Sequence, residues 1–244
     1  MSDVSKLLKS MYRDYAKSVK LDPDAQYYSG TPLRPVVPLD TASGGLFILG
    51  AYPSARFMLV DGVTDVPVAD NLGPFENERW FDGTRVRPQP SAMELHDLFL
   101  EPLGIDRKNC WITDLVKVFL FKPGHVRRYE KLKATPPAGY TRDRFYDLGR
   151  DSLQWISREL QIAKPRLVVT LGAEVAGVLN GVRSASAQTK LLKPEVVSCS
   201  IGGMEFPTMH CAHPGILMRK GDSRNRWPRL HEEQFLPALK TALV

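Results

Sequence analysis

Three short runs in this 244-residue chain gather side chains that bind or move protons: Gly50-Ala51-Tyr52-Pro53-Ser54, Trp111-Ile112-Thr113-Asp114-Leu115-Val116-Lys117, and His213-Pro214-Gly215-Ile216-Leu217. Each sits where a segment that reads as a β-strand ends. Ligands in α/β sheets bind at the carboxyl ends of strands, so the three runs describe one pocket holding a phenol, a carboxyl and an imidazole. Basic residues trail two of the runs: Lys117, Lys122, Arg127, Arg128, Lys131 and Lys133 after the second, and Arg219, Lys220, Arg224, Arg226 and Arg229 after the third. Cations beside a pocket are placed to hold phosphates.

The elements that must deliver these residues follow from periodicity. Residues 4–19 predict an amphipathic helix with Leu7, Leu8, Met11 and Tyr15 on one side. The stretch 21–39 predicts an ordered connector. Leu46-Phe47-Ile48-Leu49 is an unbroken apolar run, which predicts a buried strand ending at Gly50. Residues 55–90 have weak periodicity and many Asp, Asn, Gly and Pro, predicting a long loop or a pair of short irregular pieces. Ser91-Ala92-Met93-Glu94 predicts a capping box opening a helix through Leu100, and residues 110–118 predict a second strand. Thr141 is read as the cap of a long helix carrying Phe145, Leu148, Leu153, Ile156 and Leu160. A third strand over 166–171 leads through Gly172 into a short helix ending at Leu179. Residues 195–211 predict a hairpin turning at Gly202-Gly203, whose second strand delivers His213, and 228–239 predict a final helix. Strands alternating with helices predict a three-layer α/β/α sandwich around a mostly parallel sheet. One domain over residues 1–244 is expected, with residues 1–40 packing on it as helix and connector.

Hydrophobic residues make up 43% of the chain, enough for one sizeable core, and the formal charge of +6 favours an anionic partner. Cys110, Cys199 and Cys211 are too few for a four-cysteine iron–sulfur site and lack the short paired spacing of a zinc site. Neither metal nor cofactor is expected. The first 20 residues are charged and lack an apolar signal core, and no run is long enough to span a membrane. A cytoplasmic monomer is expected, with no membrane partner.

Together the three motifs resemble the uracil-DNA glycosylase superfamily, over roughly residues 46–219. The resemblance implies a monofunctional enzyme that binds DNA, flips a pyrimidine out of the stack and cleaves its N-glycosidic bond with water. The first motif would form the floor where water attacks, the second would read the base edge, and His213 would hydrogen-bond O2 of the departing base. Leu217 would be the wedge that enters the stack, with Met218 its neighbour and alternate. Phe81, in Arg79-Trp80-Phe81-Asp82-Gly83, is the first choice for the aromatic on which the base stacks, and Phe75 the second. Lys117, Arg219, Arg224 and Arg226 are read as DNA contacts.

This chain departs from the family pattern at informative positions. Where the family carries an acid or amide in the floor motif, Ala51 and Tyr52 stand. Main-chain carbonyls and the Tyr52 hydroxyl would then orient the water, or Asp70 or Asp82 would substitute. Gly215 replaces a frequent serine, leaving a backbone N–H for a phosphate. Ser54 stands where the uracil-specific branch has a tyrosine that crowds C5 of the base, so that wall is open unless a neighbour such as Tyr52 refills it. Asp114 replaces the base-reading asparagine. An ionised carboxylate only accepts hydrogen bonds, which favours cytosine protonated at N3, whereas a protonated Asp114 would donate to O4 of uracil. A turn-capping Asp114 is the third reading. Ser54 and Asp114 together point to a C5-substituted cytosine, such as the hypermodified cytosines of phage DNA, and so to antiviral defence. Uracil excision in base-excision repair and a catalytically silent DNA-binding module are the alternatives.

Overall fold

The computed structural model describes residues 2–69 and 71–243. Its centre is a five-stranded sheet of β1 (Leu46–Gly50), β6 (Cys110–Asp114), β7 (Leu167–Leu171), β8 (Val197–Ile201) and β9 (Met204–Cys211), in the order β6-β1-β7-β9-β8. All neighbours are parallel except β8, which runs antiparallel to β9 and is joined to it by the Gly202-Gly203 turn. Alternation along the strands feeds two cores. Phe47, Leu49, Trp111 and Val168 face one; Leu46, Ile48, Ile112, Val169 and Met209 face the other. A strand buried on both faces needs helices on both, hence the near-continuous apolar runs.

The first face is covered by α1 (Asp3–Ser18), α5 (Phe145–Ala163) and α6 (Ala173–Leu179), through residues such as Met11, Tyr15, Ile156 and Val178. On the opposite face lie α2 (Ser91–Leu95), α3 (Glu101–Leu103), α8 (Pro214–Leu217), α9 (Trp227–Leu230) and α10 (Leu236–Leu243), which contribute Leu95, Leu217 and Leu239. Two further helices, α4 (Pro123–Lys131) and α7 (Ala185–Thr189), complete the set. The expected three-layer α/β sandwich with a mostly parallel sheet is the fold.

Several local expectations are corrected. Residues 55–90 form two hairpins, β2 (Arg56–Val60) with β3 (Thr64–Ala69) and β4 (Arg79–Phe81) with β5 (Val86–Pro88). Their pairing is set by turn chemistry: Asp61 Oδ1 accepts from Thr64 N at 2.9 Å, and Asp82 Oδ1 accepts from Thr84 N and Arg85 N at 2.8 Å. The capping box at Ser91 does not form, because Pro90 holds the N-cap position without a side-chain hydrogen bond; the helix then widens into a π turn over His96–Leu100. Thr141 likewise makes no side-chain cap, and a 3-10 turn, Arg142–Arg144, opens α5. The second strand stops at Asp114 rather than 118. There the Leu115 and Val116 amides turn to donate to the carbonyls of Gly50 and Ala51, both at 2.9 Å.

Candidate active site

The carboxyl ends of β1, β6, β7 and β9 open on one side of the sheet. In the β1–β6 register Gly50 lies opposite Asp114, and a methyl group built on Gly50 would collide with Asp114 Oδ1 at 2.2 Å and with the Phe75 ring at 2.6 Å. Only a glycine leaves room for the carboxyl and ring to meet there. Phe75 is placed by Arg107, whose guanidinium donates to the carbonyls of Phe75 (2.9 Å) and Pro74 (3.1 Å) and pairs with Glu76 and Asp40. Phe75 itself adopts a left-handed φ of 57°, a conformation uncommon for a bulky residue and found where surroundings over-determine it.

Asp114 is buried, and desolvation pushes its carboxyl up to about 7; Lys117 opposes the shift and Glu159 adds to it. Lys117 is no surface cation. It is wholly buried against Glu159, also bonding Thr113 Oγ1, while Trp111 Nε1 donates to the other Glu159 oxygen at 2.8 Å. The main chain of Lys117 is fixed by Tyr15 Oη at 3.0 Å and by the Val36 amide at 2.7 Å. An ammonium enclosed in this way cannot reach a phosphate. Its place was legible: Lys117 sits inside the apolar run 115–121, and Glu159 shares a helical face with Trp155, Ile156 and Ala163.

His213 is the N-cap of α8, and its Nδ1 accepts from the Gly215 amide at 3.0 Å. A backbone N–H can only donate, so Nδ1 is the unprotonated nitrogen and the neutral ring carries its proton on Nε2. Burial holds the imidazole pKa below its ordinary value; Lys122 and Arg142 push the same way and Glu174 opposes them. The Gly215 amide expected at a phosphate is therefore spent on His213. Leu217 is corrected too. The short helix turns it into the second core with no exposure, while Met218 stands 52% exposed beside it. Asn225 ties this loop shut by donating to the Ile216 carbonyl at 2.8 Å.

Tyr52 is half-buried against Phe145, with the Arg142 guanidinium 5.9 Å from its ring centre. Desolvation pushes its phenol up to about 12, so it stays protonated. Ser54 is exposed at the rim and accepts from Gln89 Nε2, so Gln89, not Tyr52, is the neighbour that leans on it. Phe81 is 64% exposed on the β4–β5 hairpin, whereas the ring packed against Gly50 beside Asp114 is that of Phe75. Asp82 is buried and bonded to Arg87 and the Thr84 and Arg85 amides, which hold it down to about 2. It belongs to the β4–β5 turn rather than to the pocket. Asp70 lies outside the described residues. Arg219, Arg224 and Arg226 are exposed, Arg224 facing Asp222 at 3.5 Å and Arg226 stacked 5.4 Å from the centre of Trp227.

The strand ends thus present a buried carboxyl, an aromatic ring packed against the same glycine, and a neutral imidazole donor on a short loop. The family model of the Uracil DNA glycosylase superfamily matches residues 45–238. The chain belongs to that superfamily of DNA glycosylases. No curated protein sequence matches it. The family match begins one residue before β1 and ends within α10, so it takes in every residue of the pocket. Glu174 and Arg142, whose charges act on His213 and Tyr52, Arg107, which holds Phe75, and Gln89, which bonds Ser54, were not singled out by sequence reasoning. Glu174 carried a signal, an acid in the first helical turn after the end of β7. Among the described residues no helix is long and apolar enough to cross a membrane.

Proposed function

We propose that this protein is a monofunctional DNA glycosylase that flips a C5-substituted cytosine into the pocket and hydrolyses its N-glycosidic bond, leaving an abasic site. The observation that carries this reading is Asp114: a buried carboxyl poised near neutrality at the base-reading position. As an acid it donates to N3 of cytosine while its other oxygen accepts from the N4 amine. Moving that one proton to N3 gives the carboxylate paired with a protonated base, which is a better leaving group. Charge developing at O2 meets the Nε2–H of His213, the nitrogen left free by the Gly215 bond. Phe75 supports the ring face, and the exposed Ser54 beside the amide of Gln89 leaves a small, polar wall for the C5 group. Met218 takes the wedge role and the cations around Arg219 and Arg224 hold the backbone. Hypermodified cytosines of phage DNA fit such a wall, and the enzyme would then act in antiviral defence.

The near-neutral Asp114 also favours a second reading, because its protonated form donates equally well to O4 of uracil. Abasic-site formation on oligonucleotides carrying uracil, cytosine, 5-hydroxymethylcytosine or its glucosylated form separates the two. Excision of the modified cytosines and neglect of uracil is expected. Efficient uracil excision with neglect of every modified cytosine replaces this reading with a repair enzyme, and cleavage of none leaves a silent DNA-binding module.

A further inference from the structure

Hydrolysis of an N-glycosidic bond develops positive charge on the sugar and requires a base for the attacking water, tasks for which a carboxylate is the usual group. The floor run offers none at Ala51 or Tyr52, Asp114 occupies the base edge, and Asp82 is consumed in its turn. At the end of β7 the chain turns at Gly172, with φ 113°, into α6. A methyl group built on Gly172 would lie 3.7 Å from His213 Cβ and 4.0 Å from Glu174 Cγ, so the acid folds back over the strand end beside the imidazole. We propose that Glu174 is the carboxylate that faces the cationic sugar and takes the proton of the attacking water. This rests on the hydrolytic reading above.

Three further features agree. Glu174 pairs with Arg142 at 2.7 Å through Oε2, which leaves Oε1 for a further donor. The side chains of Glu174 and Arg142 are 29% and 42% exposed, so the carboxylate is within reach of water rather than in the core. Its charge acts on both Tyr52 and His213, raising the proton affinity of each. In the reaction the C1′–N1 bond breaks with its electron pair passing to the base, and the water oxygen bonds to C1′. The water proton goes to Glu174 and then to solvent, while the cytosine leaves with the proton received at N3 from Asp114, which solvent later replaces.

Glu174→Gln tests this, because glutamine keeps the length and an acceptor for Arg142 but loses the charge. Single-turnover excision at saturating protein, on the duplex that the wild type cleaves, should slow by about a hundredfold or more while the DNA Kd stays within about threefold. Glu174→Asp, which restores the charge, should recover part of that rate. A glutamine variant within about tenfold of wild type, or a loss confined to Kd, overturns the assignment. A wild type that forms no abasic site on any oligonucleotide removes the hydrolytic reading and this one together, whereas an active wild type with an equally active Glu174→Gln removes Glu174 alone.

Discussion

His213 enters the pocket as one tautomer, fixed by a single backbone amide at 3.0 Å. A neutral donor in a dry site contributes where charge appears in the transition state, so His213→Ala should slow the chemical step about a hundredfold with DNA affinity nearly unchanged. Single-turnover kinetics beside a binding titration measures both. In the proposed reaction Asp114 differs, because its proton is the reagent. Excision of the modified cytosine should fall as pH rises through about 7, where the buried carboxyl ionises, and Asp114→Asn should erase that limb. The asparagine variant should also lose activity by several kcal/mol, including about 1.5–3 kcal/mol for the charge-assisted pair. The same residue sets a stability term of defined sign. A carboxyl raised from 3.8 to about 7 on folding favours the folded state at acid pH, and that contribution is lost as pH climbs through 7. Urea denaturation of wild type against Asp114→Asn should therefore show the variant gaining between pH 4 and 7, by on the order of 4 kcal/mol at most.

The short helix after His213 separates two neighbouring apolar residues by one step of rotation. Leu217 points into the second core and Met218 toward solvent. Leu217→Ala should cost about 2–5 kcal/mol of stability through the cavity it leaves. Met218→Ala should leave stability alone and impair excision more on duplex than on single-stranded DNA, since only a duplex needs a plug for the vacated stack. Thermal denaturation of both variants, with rates on both substrates, distinguishes them; equal losses of rate on the two substrates would remove Met218 as the wedge. The sheet makes the same kind of decision at Lys117, which follows a strand end yet lies beneath α5 in a closed pair with Glu159. Burying such a pair is costly unless hydrogen bonds complete it, and Thr113 and Trp111 supply them.

Exposed basic residues are spread over the surface of the molecule, among them Arg127 and Lys131 on α4 and Arg219, Lys220 and Arg224 in the loop following α8. Arg224→Glu should weaken DNA binding with little change among base sequences and lower the salt slope by about 1 or more, because each lost phosphate contact releases fewer counterions. Binding titrations from 50 to 200 mM salt, on the order of magnitude where such slopes are read, supply the test. An unchanged slope would place Arg224 off the DNA.

The sequence by itself determined the α/β layers and the strand ends at Gly50, Leu171 and Cys211, since periodicity and chain reversal are local properties. It also showed that the floor motif lacks an acid. The tertiary structure alone decided which of two aromatics covers the floor, because Phe75 is held by Arg107 from a distant turn while Phe81 rides an outer hairpin. It decided as well that Lys117 and Leu217 are interior, through Glu159 and the second core. Finally, it brought Glu174 beside His213, two residues from different strand ends whose separation along the chain gives no hint of contact. Spacing along a strand or helix fixes which face a side chain takes, but only packing between elements fixes what that face meets.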